Sequence, residues 1–471
     1  MNHLRQARDL VNGLALIGLL LVSIGCGKGP GRPVKIPKTI NNGRISGTSE
    51  VKIDLSDDSL HLFPTDTKVT WLNISDNSLS ELSPEIGNLK NLTWLNVSDN
   101  SIRYLPDEIG NLSQLKELDL SENKLMRLDP EFGQLSSLER LNLSSNWLKT
   151  LPPEFGMLEN LRDLNLDSNS ITSLPPVFGK LHQLNSLSMK GNEMVTVTDS
   201  IGGLKKLRYL YALKNRIKEL PPQIGNLENL ETLDLRENQI EFLPSEIGNL
   251  RNLKRLDLFK NHLTSLPPEI GKLKNLKDLD LMHNDLTSLP KEFGDLPGLE
   301  KLSLQNNNLT SIPASIIRLK KIPELYLQSN QLSSLPPEFG NHLSLGGLFL
   351  DQNQFTSIPP EIWKLQNLER LSLADNQITE LPAEIGRLKK LRSLDLIGNP
   401  IKQLPPEISQ LTSLSSFSFD DPTLSDLNHL KPLKNLEYLS FGFHGTLKVD
   451  SNEIKKMFPN CKVRFRKNKT R

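Results

Sequence analysis

Three aspartates stand 23 residues apart, at Asp234, Asp257 and Asp280, with Arg236 and Arg255 beside them. Carboxylates repeated at one position could hold a cation or pair with guanidinium groups. On adjacent strands about 4.8 Å apart they would have no loop to cage a metal. Carboxylate repulsion relieved by Arg236 and Arg255 is the reading that fits the residue types. Around the acidic row stand Tyr209, Tyr211 and Leu213, then Phe259 and Met282, then Tyr326 and Phe349. Rings, an arginine and apolar side chains beside charges are the composition of protein-recognition surfaces, although single exposed apolar residues are ordinary. Tyr209, Tyr211, Leu213, Arg236, Phe259, Met282, Tyr326 and Phe349 are therefore the candidate partner-binding residues.

Catalytic chemistry finds little support. The eight histidines are scattered, with no H-E-x-x-H and no pair at ligand spacing. The two cysteines, Cys26 and Cys461, allow neither a disulfide framework nor a metal cluster. No set of nucleophile, base and orienting group can be read. The expectation is a protein with no catalytic residues, no metal and no small-molecule cofactor. A net charge of +1 argues against a nucleic-acid partner.

The elements that must position these residues come from one stretch written fifteen times. An asparagine closes each L-x-L-x-x-N, at Asn77, Asn100, Asn123, Asn146, Asn169, Asn192, Asn215, Asn238, Asn261, Asn284, Asn307, Asn330, Asn353, Asn376 and Asn399, in steps of 23. The alternating L-x-L has the period of a strand. Residues six, four and two before each Asn then share one face, which places the candidates above on it. The Asn amide donates and accepts, so in register these side chains should form an internal ladder that satisfies turn backbone. Leu-Pro-Pro-Glu-Ile-Gly follows, and proline there suits a short helical turn. Glycine stands ten residues after the Asn in twelve units; Ile317, Trp363 and Ser409 replace it in the others.

The motif L-x-x-L-x-L-x-x-N-x-L with L-P-x-E-I-G-x-L resembles the 23-residue class of leucine-rich repeats found in bacterial and plant intracellular Ras-group repeat proteins. The resemblance covers residues 50–415 and implies an α/β solenoid. Its curved horseshoe would have parallel strands on the concave face and short helical or 3-10 turns on the convex face. One unit cannot bury its own leucines, whereas stacked units bury each other's.

Residues 1–26 read as a targeting segment: Arg5 and Arg8, an apolar run from Leu14 to Val22, then Ser23-Ile24-Gly25-Cys26. The last four resemble the lipobox of bacterial lipoproteins, which implies lipidation at Cys26, export and a membrane anchor at the cell envelope. Ser23 departs from the usual leucine, so an ordinary cleaved signal or an uncleaved anchor stays open. Residues 27–48 are Gly/Pro-rich and read as a tether. Residues 49–67 are a worn first unit with Asp58 in the Asn place, an N-terminal cap. Trp71 and Trp94 follow and are expected to pack against it. Residues 68–415 are the array, 416–466 a C-terminal cap that holds a structural Cys461, and 467–471 a basic tail.

The reading is an exported, lipid-anchored, non-catalytic scaffold that binds a protein or peptide. A structural or adhesive envelope protein that self-associates or binds polysaccharide is the alternative. So is binding through convex variants such as Trp363.

Overall fold

The computed structural model of the chain describes residues 51–56, 64, 67–443 and 449–467. The targeting segment with Cys26, the tether, Asp58 and residues 468–471 of the tail lie outside the described residues. The described strands form a single 19-stranded sheet, each pairing in parallel with the next in the chain.

Most strands are three residues long, and one leucine decides their register. In Thr232–Asp234, Arg255–Asp257 and Asp278–Asp280 the central Leu233, Leu256 and Leu279 are Cα partners and fully buried. Burying one such side chain contributes roughly 1.5–3 kcal/mol. A one-residue slip would turn every leucine outward, so register is strongly specified.

The asparagine that ends each strand unit is buried, and from Asn100 on both ends of its amide are bonded; Asn77 Oδ1, in the first unit, has no partner among the described residues. Asn146 Nδ2 donates to the carbonyls of Leu120, Leu143 and Ser144 at 2.9, 3.1 and 3.2 Å, and its Oδ1 accepts from Leu125 N–H at 2.9 Å. The same bonds recur along the array. They hold a sharp turn in which the preceding residue takes a left-handed conformation, for example Ser145 (φ 56°) and Lys260 (φ 57°). That conformation costs a non-glycine residue roughly 1–2 kcal/mol, which the four Asn bonds offset.

The outer segments are 3-10 turns. In Pro222–Asn226, Ile224 N–H donates to Pro221 O and Leu227 N–H to Ile224 O. Glycine at the place held by Gly225 allows successive turns to approach: a Cβ there would lie 2.5 Å from Glu246 O. Trp363, which takes that place in its unit, turns inward and is only 6% exposed. It offers no convex anchor, contrary to the alternative raised above. Its ring belongs to the buried apolar core instead.

Pro323 loosens the sheet once. Its lack of an N–H removes one rung bond, and the strands Lys301–Ser303 and Glu324–Tyr326 keep a single registered pair, Ser303 with Tyr326. At the C-terminal end the strands Ser416–Asp420, Tyr438–Phe443 and Lys462–Lys467 continue the sheet. Between them lie helices α1 (Leu424–Leu430), which the sequence pattern did not suggest, and α2 (Ser451–Met457). Thr423 and Asp426 form a capping box at α1, and Asp426 also accepts from Leu404 N–H at 2.7 Å. Cys461 is half-buried and its thiol donates to Leu436 O at 2.9 Å; burial pushes its pKa up, which makes it a poor nucleophile.

Candidate binding surface on the strand face

The residues on either side of each buried strand leucine point to the concave face. Tyr209 and Tyr211 flank Leu210 in this way, and Leu213 follows two residues on; all three are half-buried. Cations cover both rings: Arg208 lies 5.4 Å from the Tyr209 centroid and Lys190 4.8 Å from that of Tyr211.

Tyr211 is the Cα partner of Asp234, which begins the acidic row Asp234, Asp257 and Asp280. Arg236 grips Asp234 with two bonds, Nε to Oδ1 at 2.9 Å and Nη2 to Oδ2 at 2.7 Å, and reaches Asp257 Oδ2 at 3.3 Å. Arg255 Nη2 meets Asp257 Oδ2 at 3.0 Å and its Nη1 meets Asp278 Oδ2 at 3.5 Å. Two guanidinium groups thus serve three carboxylates. The Asp234 bond holds Arg236 firmly protonated against the opposing effect of burial. Burial, then repulsion from Asp234, raises the pKa of Asp257. Asp280 accepts from Met282 N–H at 3.0 Å and has no ion pair among the described residues. Burial first, and Asp257 second, push its pKa up to about 7.

Phe259 and Met282, both half-buried, continue the surface on the next two strand units. Phe259 meets His283 edge-on, with centroids 5.5 Å apart. Tyr326 and Phe349 are Cα partners and stack with centroids 4.8 Å apart and planes within 3°. The Tyr326 hydroxyl donates to Glu324, which is also paired with Arg370. Gly347 makes room for this pair: a Cβ there would lie 3.1 Å from a Phe349 ring carbon. Glu324, Arg370 and Gly347 were not among the sequence candidates. Gly347 carries a signal in hindsight, because it is the sole glycine six residues before a ladder asparagine.

The structure therefore places Tyr209, Tyr211, Leu213, Arg236, Phe259 and Met282 on consecutive rungs. Tyr326 and Phe349 lie beyond the Pro323 irregularity. Trp71 and Trp94 stand apart, stacked on each other at 4.3 Å and half-exposed on the same face. Trp71 is also the Cα partner of Lys52 on the cap strand Val51–Asp54, and Trp94 lies one rung further in. Among the described residues no three His, Cys, Asp or Glu side chains converge as a metal site.

The profile of a leucine-rich repeat region matches residues 67–146, 192–287 and 359–457, and a second leucine-rich repeat profile matches 159–217, 274–332 and 297–354. No match was found among curated proteins. Among solved structures the chain is similar to a leucine-rich repeat protein of Leptospira interrogans, with 38% identity over 85% of this chain and 96% of that one and a TM-score of 0.67. It is also similar to the leucine-rich repeat ectodomain of the Arabidopsis thaliana receptor kinase GASSHO1/SCHENGEN3, solved in complex with CASPARIAN STRIP INTEGRITY FACTOR 2. That match has 31% identity over 84% of this chain and 56% of that one, with a TM-score of 0.50. The Arabidopsis receptor kinase HAESA, in complex with the peptide hormone IDA and the co-receptor SERK1, matches at 25% identity over 84% and 87%, with a TM-score of 0.50.

Proposed function

The chain belongs to the leucine-rich repeat family, and from that premise we propose that it is a non-catalytic scaffold that holds a protein or peptide against the strand face of units 7–13. The observation that carries the reading is the combination on one rigid sheet of stacked rings, Tyr326 on Phe349, with an ion-paired arginine–carboxylate row in register. Rings that are already stacked and charges that are already paired lose little side-chain entropy on binding, which is what a recognition surface needs. The relatives solved in complex with a partner, in one case a peptide hormone, support a binding role for this architecture. We extend the proposal to an exported, lipid-anchored protein of the cell envelope, motivated by the apolar run and Ser23-Ile24-Gly25-Cys26.

Selection of a displayed peptide library on the purified chain tests the binding claim. Peptides that bind wild type and lose affinity for a still-folded variant with Tyr209, Tyr211, Tyr326 and Phe349 changed to Ala support it. Equal binding by the variant overturns the concave-face assignment. Concentration-dependent assembly in sedimentation, with no selected peptide, would turn the reading to a structural envelope protein. Labelled palmitate incorporated by wild type and lost in Cys26→Ser tests the anchor; no incorporation by wild type overturns it.

A further inference from the structure

A second surface lies on the flank of units 2–4, where the chain leaves each ladder asparagine. There the residues one and three places after Asn point outward and alternate with the fully buried Ile102, Leu125 and Leu148. In units 9–12 the outward places three and four after Asn hold small hydroxyl residues, Thr264-Ser265, Thr287-Ser288, Thr310-Ser311 and Ser333-Ser334. In units 2–4 the flank carries Tyr104, Met126 and Trp147 instead, exposed by 44, 46 and 50%.

These three are held in place. Met126 N–H donates to Arg103 O at 3.2 Å and Trp147 N–H to Leu125 O at 2.9 Å, which ties the rungs together. The Tyr104 hydroxyl lies 3.3 Å from Met126 Sδ. The Arg127 guanidinium sits 4.8 Å over the Tyr104 ring while its Nε bonds Asp129 at 2.8 Å. Arg103, Lys124 and Lys149 flank the cluster and make no ion pair among the described residues; Lys124 Nζ bonds Ser101 Oγ at 3.1 Å. Against these four cations stand Asp129, held by Arg127, and Glu122 and Asp99, each one place before its asparagine. The patch is net positive.

We propose that this flank is a second docking surface, and that its occupant is an acidic protein segment carrying an apolar side chain. Trp, Tyr, Met and Arg are the residues over-represented where proteins meet, and the surplus of cations specifies the sign of the partner. The same surplus excludes a two-fold contact between copies, which would set positive against positive. Three rungs span about 10 Å at 4.8 Å per step, the width of an extended segment rather than of a bilayer surface. The surface is distinct from the strand face, so the two proposals stand or fall separately.

Trp147 supplies the readout. Trp71 and Trp94 stack on each other and Trp363 is buried, so the exposed indole dominates any emission change on contact. The purified chain is titrated with a short Glu/Asp peptide bearing one central Phe, with the matching Lys peptide, and with phosphatidylglycerol-containing vesicles. The expected result is a salt-sensitive shift in emission with the acidic peptide alone. The shift should be lost in Trp147→Ser, and affinity should fall at least ~10-fold in Lys124→Glu/Lys149→Glu. Tyr209→Ala/Tyr326→Ala should leave it unchanged. All substituted side chains are at the surface, and unfolding curves verify that the variants stay folded. No acidic-peptide binding, equal binding by the charge-reversed variant, or a shift with vesicles alone would overturn the proposal.

Discussion

Two stretches of the strand face each set one arginine between two carboxylates on the same repeating backbone. In units 3–5 Arg140 lies between Glu117 and Asp163, bonded to Glu117 at 2.6 Å and reaching Asp163 at 3.4 Å. In units 8–9 Arg236 lies between Asp234 and Asp257. The first set is open to water, with side-chain exposures of 61% for Arg140, 38% for Glu117 and 49% for Asp163. The second is at 31% for Arg236, 6% for Asp234 and 2% for Asp257. Exposed pairs are screened and contribute little, whereas buried ones are strongly coupled because no water replaces a lost partner. The comparison teaches that burial beside tyrosines and apolar side chains, and not the charge pattern, turns a solvated strand face into a preorganised one.

The backbone beneath both stretches is common to them, and the largest expected effect ignores the difference. Asn261→Ala orphans the buried Ile240 N–H and takes one of two asparagine donors from each of the Leu235 and Leu258 carbonyls. It should cost about 3–5 kcal/mol, and Asn146→Ala should cost the same in urea unfolding. Unequal costs would mean that the units are not equivalent. Next, Arg236→Ala strands the buried Asp234 and leaves Asp257 with Arg255 alone. It should cost about 2–3 kcal/mol, just under the range of about 3–5 kcal/mol for breaking a buried pair because Arg236 is partly exposed; a loss under about 1 kcal/mol would remove the contrast with units 3–5.

Tyr326→Ala with Phe349→Ala should weaken a selected strand-face peptide by about 2 kcal/mol, or roughly 30-fold in titration calorimetry. The fold should persist, since both rings lie on the surface of the sheet. A smaller effect comes from Asp280. Its proton is retained in the fold up to about 7 and in the unfolded chain only to about the model-peptide value of 3.8. Ionisation therefore opposes folding as pH rises between those limits. Asp280→Asn should be no more stable than wild type below pH 4 and more stable above pH 7, by about 1 kcal/mol after allowance for solvent access. A gain that is largest in acid would reverse the assigned sign. The smallest effect is Arg140→Ala, at most about 0.5 kcal/mol by thermal melts.

The periodic part of the molecule was legible because burial writes it: a leucine or asparagine that fails its inward place leaves a void or an orphaned backbone group. Strand parity likewise places Tyr326 and Phe349 on one face without coordinates. What the spacing could not carry was how a non-consensus residue is accommodated. Trp363 stands in a glycine place and reads as an outer-surface ring, yet it is buried. His342 takes a core leucine place and is 2% exposed, with burial lowering its pKa. The room made by Gly347 for Phe349, and the Glu324–Arg370 pair around Tyr326, depend on side-chain volumes on neighbouring rungs. So does the flank cluster of Tyr104, Met126 and Trp147, whose members occupy three different places in their repeats. Helix α1 escaped because its apolar Leu427 and Leu430 sit in a segment too short to show a period.

The central claim is that the strand face of units 7–13 is the contact surface, and site-specific photo-crosslinking tests it most directly. A benzophenone side chain replaces Phe349 in one variant and Glu338, on an outer turn, in another, each irradiated with a selected peptide. The account predicts a crosslink from position 349 and none from 338. A crosslink from 338 alone would contradict it and move the contact to the convex side.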